Sequence, residues 1–327
     1  MTIFNKIHHQ YQEDLSHINN ILIDRAKGES DLANKIIENL VSFKGKRIRP
    51  LLVVIASKIT SENNYNNNYL KIASAIELLH NATLLHDDVI DDSKMRRGRK
   101  TANYQWGNKA GILSGDLLLA TSFQIIIEVG QMDILESIAK ASKIMSDGEI
   151  SQLSNIGNIN ISKEQYLNII NAKTAILFSV ATEAGAILSG ANPNQIESLR
   201  SFGKNLGMAF QIIDDILDYD SSNDKIGKNI ADDFMEGKVT LPIILLNHEC
   251  NAQEKESLHN IFNPNHTIIN DDFEKVKLMI DKYNIINQSK DLAHNYITKA
   301  KNNLSDFNNS NHKDTALSIL DYVVNQS

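Results

Sequence analysis

The chain has 327 residues, 42% of them hydrophobic, which is enough for one large domain or two ordinary ones. A net charge of −7 excludes a protein that binds nucleic acid through a bulk basic face, and the single cysteine, Cys250, excludes a disulfide framework and a thiolate metal cluster. Only 4 prolines and 6% aromatic residues, beside abundant Leu, Ile, Ala and Lys, favour long helices over a sandwich of short strands.

In chain order, Met1 to Ile18 mixes His, Gln, Glu and Asp and lacks the apolar centre of a signal peptide. No uncharged run reaches the roughly 18 residues of a membrane span, so no transmembrane segment and a cytoplasmic location are expected. Gly45-Lys46-Arg47-Ile48-Arg49-Pro50 predicts a starting helix with Lys46 and Arg49 on one side. A polar, Asn-rich loop follows from Thr60 to Asn68. Leu70 to Leu85 is apolar on nearly every face and predicts a buried central helix, with His80 two turns before Asp87. Taken alone, that histidine reads as a hydrogen-bonded core residue. Ser162 and Gln165 form a capping box that opens a helix running to about Leu188, and Asn192, Pro193 and Gln195 open the next. Leu206 to Tyr219 is a second all-round apolar helix. Asn-rich stretches near Asn263 and Asn308 read as surface loops. No repeat and no Gly, Ser or Pro-rich linker divides the chain, so residues 1–327 read as one domain.

Each of the two apolar helices ends in a burst of carboxylates: Asp87-Asp88-Val89-Ile90-Asp91-Asp92, and Asp214-Asp215-Ile216-Leu217-Asp218. In each DDxxD pattern the first and last acids are four apart and share a helix face, where like charges repel. A helix C-terminus is already negative, which aggravates the repulsion in the first cluster. Buried ionised carboxylates persist when paired or bound to metal. An all-oxygen donor set suits Mg2+, which takes protein carboxylates together with a substrate's phosphates. Two such faces would grip a diphosphate through several Mg2+ ions. Cations complete such a site. Arg96 and Arg97 directly follow the first cluster, Lys228 and Lys238 follow the second, Lys46, Arg49 and Lys173 are further candidates, and Thr174 and Gln211 add polar groups. Any one of these pairs alone would read as a solvated surface pair.

Together these residues resemble the trans-prenyl diphosphate synthase family. The first motif runs Leu84-Leu85-His86-Asp87-Asp88-Val89-Ile90-Asp91-Asp92 to Arg96-Arg97-Gly98. The second runs Phe210-Gln211-Ile212-Ile213-Asp214-Asp215 through Gly227-Lys228 and Asp232-Asp233 to Glu236-Gly237-Lys238-Val239-Thr240-Leu241-Pro242. The resemblance covers about Lys44 to Leu246. Phe43-Lys44 and Lys100 depart from the family's usual glycine and proline without removing a chemical group.

The resemblance implies an all-α fold, an antiparallel helical bundle around a central apolar pocket, normally as a homodimer. It implies a prenyltransferase that joins isopentenyl diphosphate head to tail to an allylic diphosphate. Asp87, Asp88, Asp91, Asp214, Asp215 and Asp218 would face Mg2+. Arg96, Lys173, Thr174, Gln211, Lys228 and Lys238 would hold the allylic diphosphate, and Lys46, Arg49, His80 and Arg97 the isopentenyl diphosphate. Ala82 and Thr83, one turn before Asp87, are small, where short-chain members place an aromatic. The growing tail would then continue along Leu79 and Ile76 to a floor at Phe123, Ile126 or Ile138. Gly115 to Lys143 resembles bacterial octaprenyl synthases, which implies a long-chain product for a quinone side chain, delivered to a membrane. The alternatives are a farnesyl or geranylgeranyl synthase, or a noncatalytic subunit of a heteromeric synthase. A class I terpene cyclase would carry an Asn/Ser/Glu metal motif in place of Asp214 to Asp218, and a head-to-head condensing enzyme would space its acids differently.

Overall fold

The structure is a computed structural model that describes residues 3–41, 45–60, 67–96, 98–219 and 231–325. Arg97 and Lys228 lie outside the described residues. Helices dominate in chain order: α1 (Ile3–Gln10), α2 (Gln12–Ala26), α3 (Asp31–Val41), α4 (Ile48–Thr60) and α5 (Asn68–Ile90). A two-stranded hairpin follows, β1 (Met95–Arg96) and β2 (Arg99–Lys100), then α6 (Ala102–Trp106), α7 (Asn108–Val129) and α8 (Met132–Ser154). Next come α9 (Lys163–Ile170), a π-helical turn (Asn171–Ala175), α10 (Ile176–Leu188) and α11 (Pro193–Leu217). The remainder comprises α12 (Asp232–Met235), α13 (Leu241–Glu249), α14 (Ala252–Ile261), α15 (Asn270–Lys282), α16 (Ile285–Asn303) and α17 (Asn311–Val324). The expected all-α class holds. Met95 pairs with Lys100 and Arg96 with Arg99 in the hairpin, the only strands among the described residues.

The fold divides into two compact units. One comprises Met1–Lys140, Leu177–Gly203 and Asn303–Ile319; the other comprises Ala141–Ile176, Lys204–Asn302 and Leu320–Ser327.

The first unit is built on α5. Its residues Ile72, Ala73, Ala75, Ile76 and Leu78 are fully buried, as an all-round apolar helix must be, and burying each large side chain stabilises by about 1.5–3 kcal/mol. Helix α5 packs most extensively on α7, and also on α4 and α2. Small residues set these distances. A Cβ at Gly115 of α7 would stand 2.3 Å from His86 Nε2, and one at Gly185 of α10 would stand 2.3 Å from the Val53 carbonyl of α4. Polar clasps tie the same helices. Lys58 donates to Asp14 (2.6 Å), whose other oxygen accepts from the Tyr69 hydroxyl (2.7 Å). Among the described residues, α7 alone is long and apolar enough to cross a membrane by length and composition. It carries Asp116 and Glu128, and its buried face is the one that α5 covers.

The second unit is centred on aromatic rings. Tyr219, just past the end of α11, stacks on Phe273 (5.9 Å between centroids), and Phe234 meets Phe262 and Phe273 edge-on at 5.5 Å. This cluster anchors the chain immediately after the second acidic burst.

Both expected caps are present. Ser162 accepts from the Gln165 N–H (3.1 Å) while Gln165 accepts from the Ser162 N–H (2.9 Å), and Asn192 and Gln195 exchange the same two bonds. The helix opened at Ser162 does continue to Leu188, interrupted only by the π-helical turn. One expectation fails. Lys46 and Arg49 do not share a helix face, because α4 begins at Ile48 and Arg47 adopts a left-handed backbone with φ of 48°. The Arg47 carbonyl accepts the N–H of Leu51 (3.1 Å), so the helix starts only after Lys46.

Candidate active site

The first acidic cluster occupies the last turn of α5. Asp87 and Asp91 are half-exposed on one helix face, with the Asp91 N–H bonded to the Asp87 carbonyl at 2.8 Å. Asp88 is different: it is 3% exposed and accepts from Arg96 Nε at 2.7 Å. The hairpin makes this contact possible. Asp92 takes a positive φ of 47°, the Ser93 N–H returns to the Asp88 carbonyl (3.0 Å), and the chain folds back to bring Arg96 over the helix end. Asn103 of α6 donates to the carbonyls of Asp88 (2.9 Å) and Ser93 (3.1 Å), a second bond to each, which ties the turn after α5 to α6. Burial pushes the Asp88 carboxyl above its usual range, and the adjacent Arg96 offsets this only in part.

In the same unit, α4 and α5 bring together Arg49 and His80, two of the residues expected to meet isopentenyl diphosphate. Arg49 Nη1 donates to His80 Nε2 at 3.0 Å, and its guanidinium lies 4.8 Å above the Phe178 ring. Histidine therefore accepts through Nε2 and orients the arginine. The Lys46 ammonium lies 6.0 Å from the Phe4 ring, and His8 Nε2 bonds the Lys46 carbonyl at 2.9 Å. Ala82 is buried and Thr83 half-buried, with the Thr83 hydroxyl returned to the His80 carbonyl (2.8 Å). Ile126 and Ile138 are buried, and Phe123 is half-buried.

The second cluster ends α11 in the other unit. Asp215 is 3% exposed and both its oxygens are taken: Oδ2 accepts from the Tyr166 hydroxyl at 2.6 Å and Oδ1 from Gln211 Nε2 at 2.8 Å. Thr174 donates to Gln211 Oε1 at 2.6 Å, so Thr174, Gln211, Asp215 and Tyr166 form one chain of bonds. Asp218 accepts from the Phe234 N–H (3.3 Å), and Asp214 is half-exposed. Lys173 pairs with Glu149 at 2.9 Å, and Lys238 pairs with Glu236 and Asp233. The π-helical turn carries both Lys173 and Thr174, at a place where such a bulge re-aims side chains. Burial pushes Asp215 up to about 8, with the nearby Asp233 adding to the shift and the bonds from Tyr166 and Gln211 opposing it.

Sequence reading missed Tyr166, Glu149, Asn103, Phe178 and Glu77, none of which lies in an acidic motif. Among the described residues, no group of three His, Cys, Asp or Glu side chains forms a ready-made metal cage. The oxygen donors of Asp87 and Asp91, half-exposed on one helix face, fit Mg2+, a cation that takes few protein carboxylates together with phosphate oxygens.

The family model described as polyprenyl synthetase matches residues 30–280. The octaprenyl diphosphate synthase of Escherichia coli is 38% identical over 253 residues, covering 77% of this chain and 78% of that one. A decaprenyl diphosphate synthase structure from Rhodobacter capsulatus superposes with a TM-score of 0.93 at 33% identity, covering 99% of both chains. A polyprenyl synthase structure from Caulobacter crescentus, in complex with calcium and isoprenyl diphosphate, gives a TM-score of 0.93 at 36% identity, covering 98% of this chain and 97% of that one.

The environment of Asp215 generates a test. Its folded pKa is raised, so its contribution to stability is fully present below the unfolded carboxylate pKa and is lost as pH rises toward about 8. Asp215→Asn should therefore raise the melting temperature of the metal-free protein, with a gain that widens between pH 4 and pH 8. Thermal melts in EDTA across that range check it. A gain that stayed constant with pH would mean that Asp215 is not held against its charge.

Proposed function

The chain belongs to the polyprenyl synthetase family, and we propose that it is a long-chain member, a Mg2+-dependent prenyltransferase making an all-trans product of octaprenyl or neighbouring length. It condenses isopentenyl diphosphate head to tail with an allylic diphosphate. The observation that carries this reading is the pair of complete DDxxD helix ends in a chain that matches the family over residues 30–280. Because that match includes residues of both units, 1–327 is read as one synthase domain. The Caulobacter relative's complex with calcium and isoprenyl diphosphate supports a divalent cation and a diphosphate as the ligands.

Asp87 and Asp91 in one unit, and Asp214 and Asp218 in the other, would each hold Mg2+, with diphosphate oxygens as further ligands. Bound there, Mg2+ supplies charge neutralisation of the leaving diphosphate. Arg96, Lys173 and Lys238, with Lys228 by position, bring further positive charge to the allylic diphosphate as its C–O bond ionises. Arg96 is oriented for this by Asp88, and Lys173 by Glu149. Lys46 and Arg49, with Arg97 by position, hold the isopentenyl diphosphate, and His80 and Phe178 fix the arginine's plane. The isopentenyl double bond attacks the allylic carbocation, and the released diphosphate accepts the proton lost afterwards, so no protein base is required. Apolar walls exclude water from the cation.

A homodimer is part of the same reading. Helix α7 exposes Leu113 (67%) and Ile127 (63%), and Met132 (70%) follows it, large apolar side chains that an identical partner would cover. A quinone side chain is the proposed destination of the product, and a cytoplasmic location with delivery to a membrane goes with it.

Asp87→Ala and Asp214→Ala should each lower turnover on the order of 10²–10³-fold or more, because each deletes charge that acts on the ionising diphosphate. Circular dichroism should be unchanged, since losing one acid of an i, i+4 pair relieves repulsion. EDTA should abolish turnover and Mg2+ restore it. Full activity in EDTA or in either variant would overturn the metal assignment.

Product length is tested at Ala82. Position 82 is five residues before Asp87, about 7.5 Å along the helix at about 1.5 Å per residue, so an aromatic ring there should stop the tail after a few units. Ala82→Tyr should shift the main product toward C15 or C20 while the first condensation persists. Overpacking at this buried site could cost about 1–3 kcal/mol, so the melting temperature is measured in parallel. A stable, active variant that still made the wild-type length would show that the tail does not pass this turn.

A further inference from the structure

The segment Lys46-Arg47-Ile48-Arg49 contains three cations, and the reading above uses only the outer two. Arg47 is placed differently. Its Nη1 donates to Glu77 Oε1 at 2.6 Å, with side-chain exposures of only 10% and 7% for the two partners. Its backbone is left-handed, φ 48°, a conformation that a non-glycine residue holds only when its surroundings impose it.

Glu77 stands three residues before His80 on α5, so the two share a helix face. Helix α5 therefore grips the segment at two successive points, Glu77 on Arg47 and His80 on Arg49. The left-handed residue lies directly between Lys46, which precedes α4, and Ile48, which opens it. The direction in which Lys46 leaves the helix is thus set at Arg47. Glu77 balances the Arg47 charge, so that charge is not available to recruit phosphate.

We propose that Arg47 and Glu77 are positioning residues for isopentenyl diphosphate: their buried ion pair fixes the left-handed turn that sets Lys46 and Arg49 at the spacing needed to take one diphosphate. The inference rests on the reading that Lys46 and Arg49 bind that substrate. Neither member of the pair touches it. Misplacing two phosphate ligands by a fraction of their reach weakens binding without altering the apparatus that ionises the allylic substrate.

The test is steady-state kinetics with the two substrates varied independently. Arg47→Gly removes the ion pair yet suits a positive φ; because it leaves Glu77 buried without this partner, the melting temperature is measured in parallel. Glu77→Gln keeps the shape and removes the charge. Each should raise the Michaelis constant for isopentenyl diphosphate on the order of tenfold, leaving kcat and the allylic Michaelis constant within about twofold. Arg47→Lys, which retains a charge for Glu77, should recover most of the loss. Arg49→Ala is assayed alongside. If Arg49→Ala weakens isopentenyl diphosphate while Arg47→Gly and Glu77→Gln do not, the positioning role is wrong and the binding site stands. If Arg49→Ala also leaves that constant unchanged, the binding site itself is misassigned and the inference falls with it. Equal losses for both substrates in the Arg47 and Glu77 variants would mark the pair as merely structural.

Discussion

Placing like-charged carboxylates at the ends of buried helices is the constraint on which the rest of the molecule depends. Asp88, Asp215 and Asp218 are each buried, and each cluster closes a helix whose C-terminus already carries negative partial charge. Left alone, such groups would take up protons or expel the helix end into water. The protein answers with local donors: Arg96 on Asp88, Tyr166 and Gln211 on Asp215, and the Phe234 N–H on Asp218. Asp87, Asp91 and Asp214 remain half-exposed, which is where a cation bearing phosphate ligands would relieve the residual charge.

The same economy explains the accessory structure around each cluster. The β1–β2 hairpin returns Arg96 to α5, and Asn103 ties down the turn that makes this possible. In the other unit, the aromatic cluster of Tyr219, Phe234 and Phe273 packs just past the end of α11, while the π-helical turn carries Lys173 to Glu149 and Thr174 to Gln211. Preorganisation of this kind lets charged groups act on a departing diphosphate without the reorganisation that water would require.

Much of this was legible in the sequence because it is local. The capping boxes at Ser162 and Asn192, the buried character of α5 and the shared face of Asp87 and Asp91 all follow from spacings of three or four residues. Features set by tertiary contact were not legible. Tyr166 reaches Asp215 across 49 residues, and the bond depends on how α9 packs. Glu77 reads as one polar residue in an apolar helix until Arg47 is seen against it. The π-helical turn has no spacing signature, and the shared face expected for Lys46 and Arg49 failed because a single left-handed residue outweighed helical periodicity. Product length lies further still from the sequence, since under the proposed function it would depend on the depth of the space beside Ala82, which side-chain packing sets.

The proposed activity is elongation of an allylic diphosphate to a long all-trans product. Its most direct test is incubation of the purified wild-type protein with isopentenyl diphosphate, Mg2+ and an allylic primer, followed by mass spectrometry of the dephosphorylated products. A main product of octaprenyl or neighbouring length that requires both substrates and the metal is expected. A main product of farnesyl or geranylgeranyl length, or no condensation at all, would contradict it.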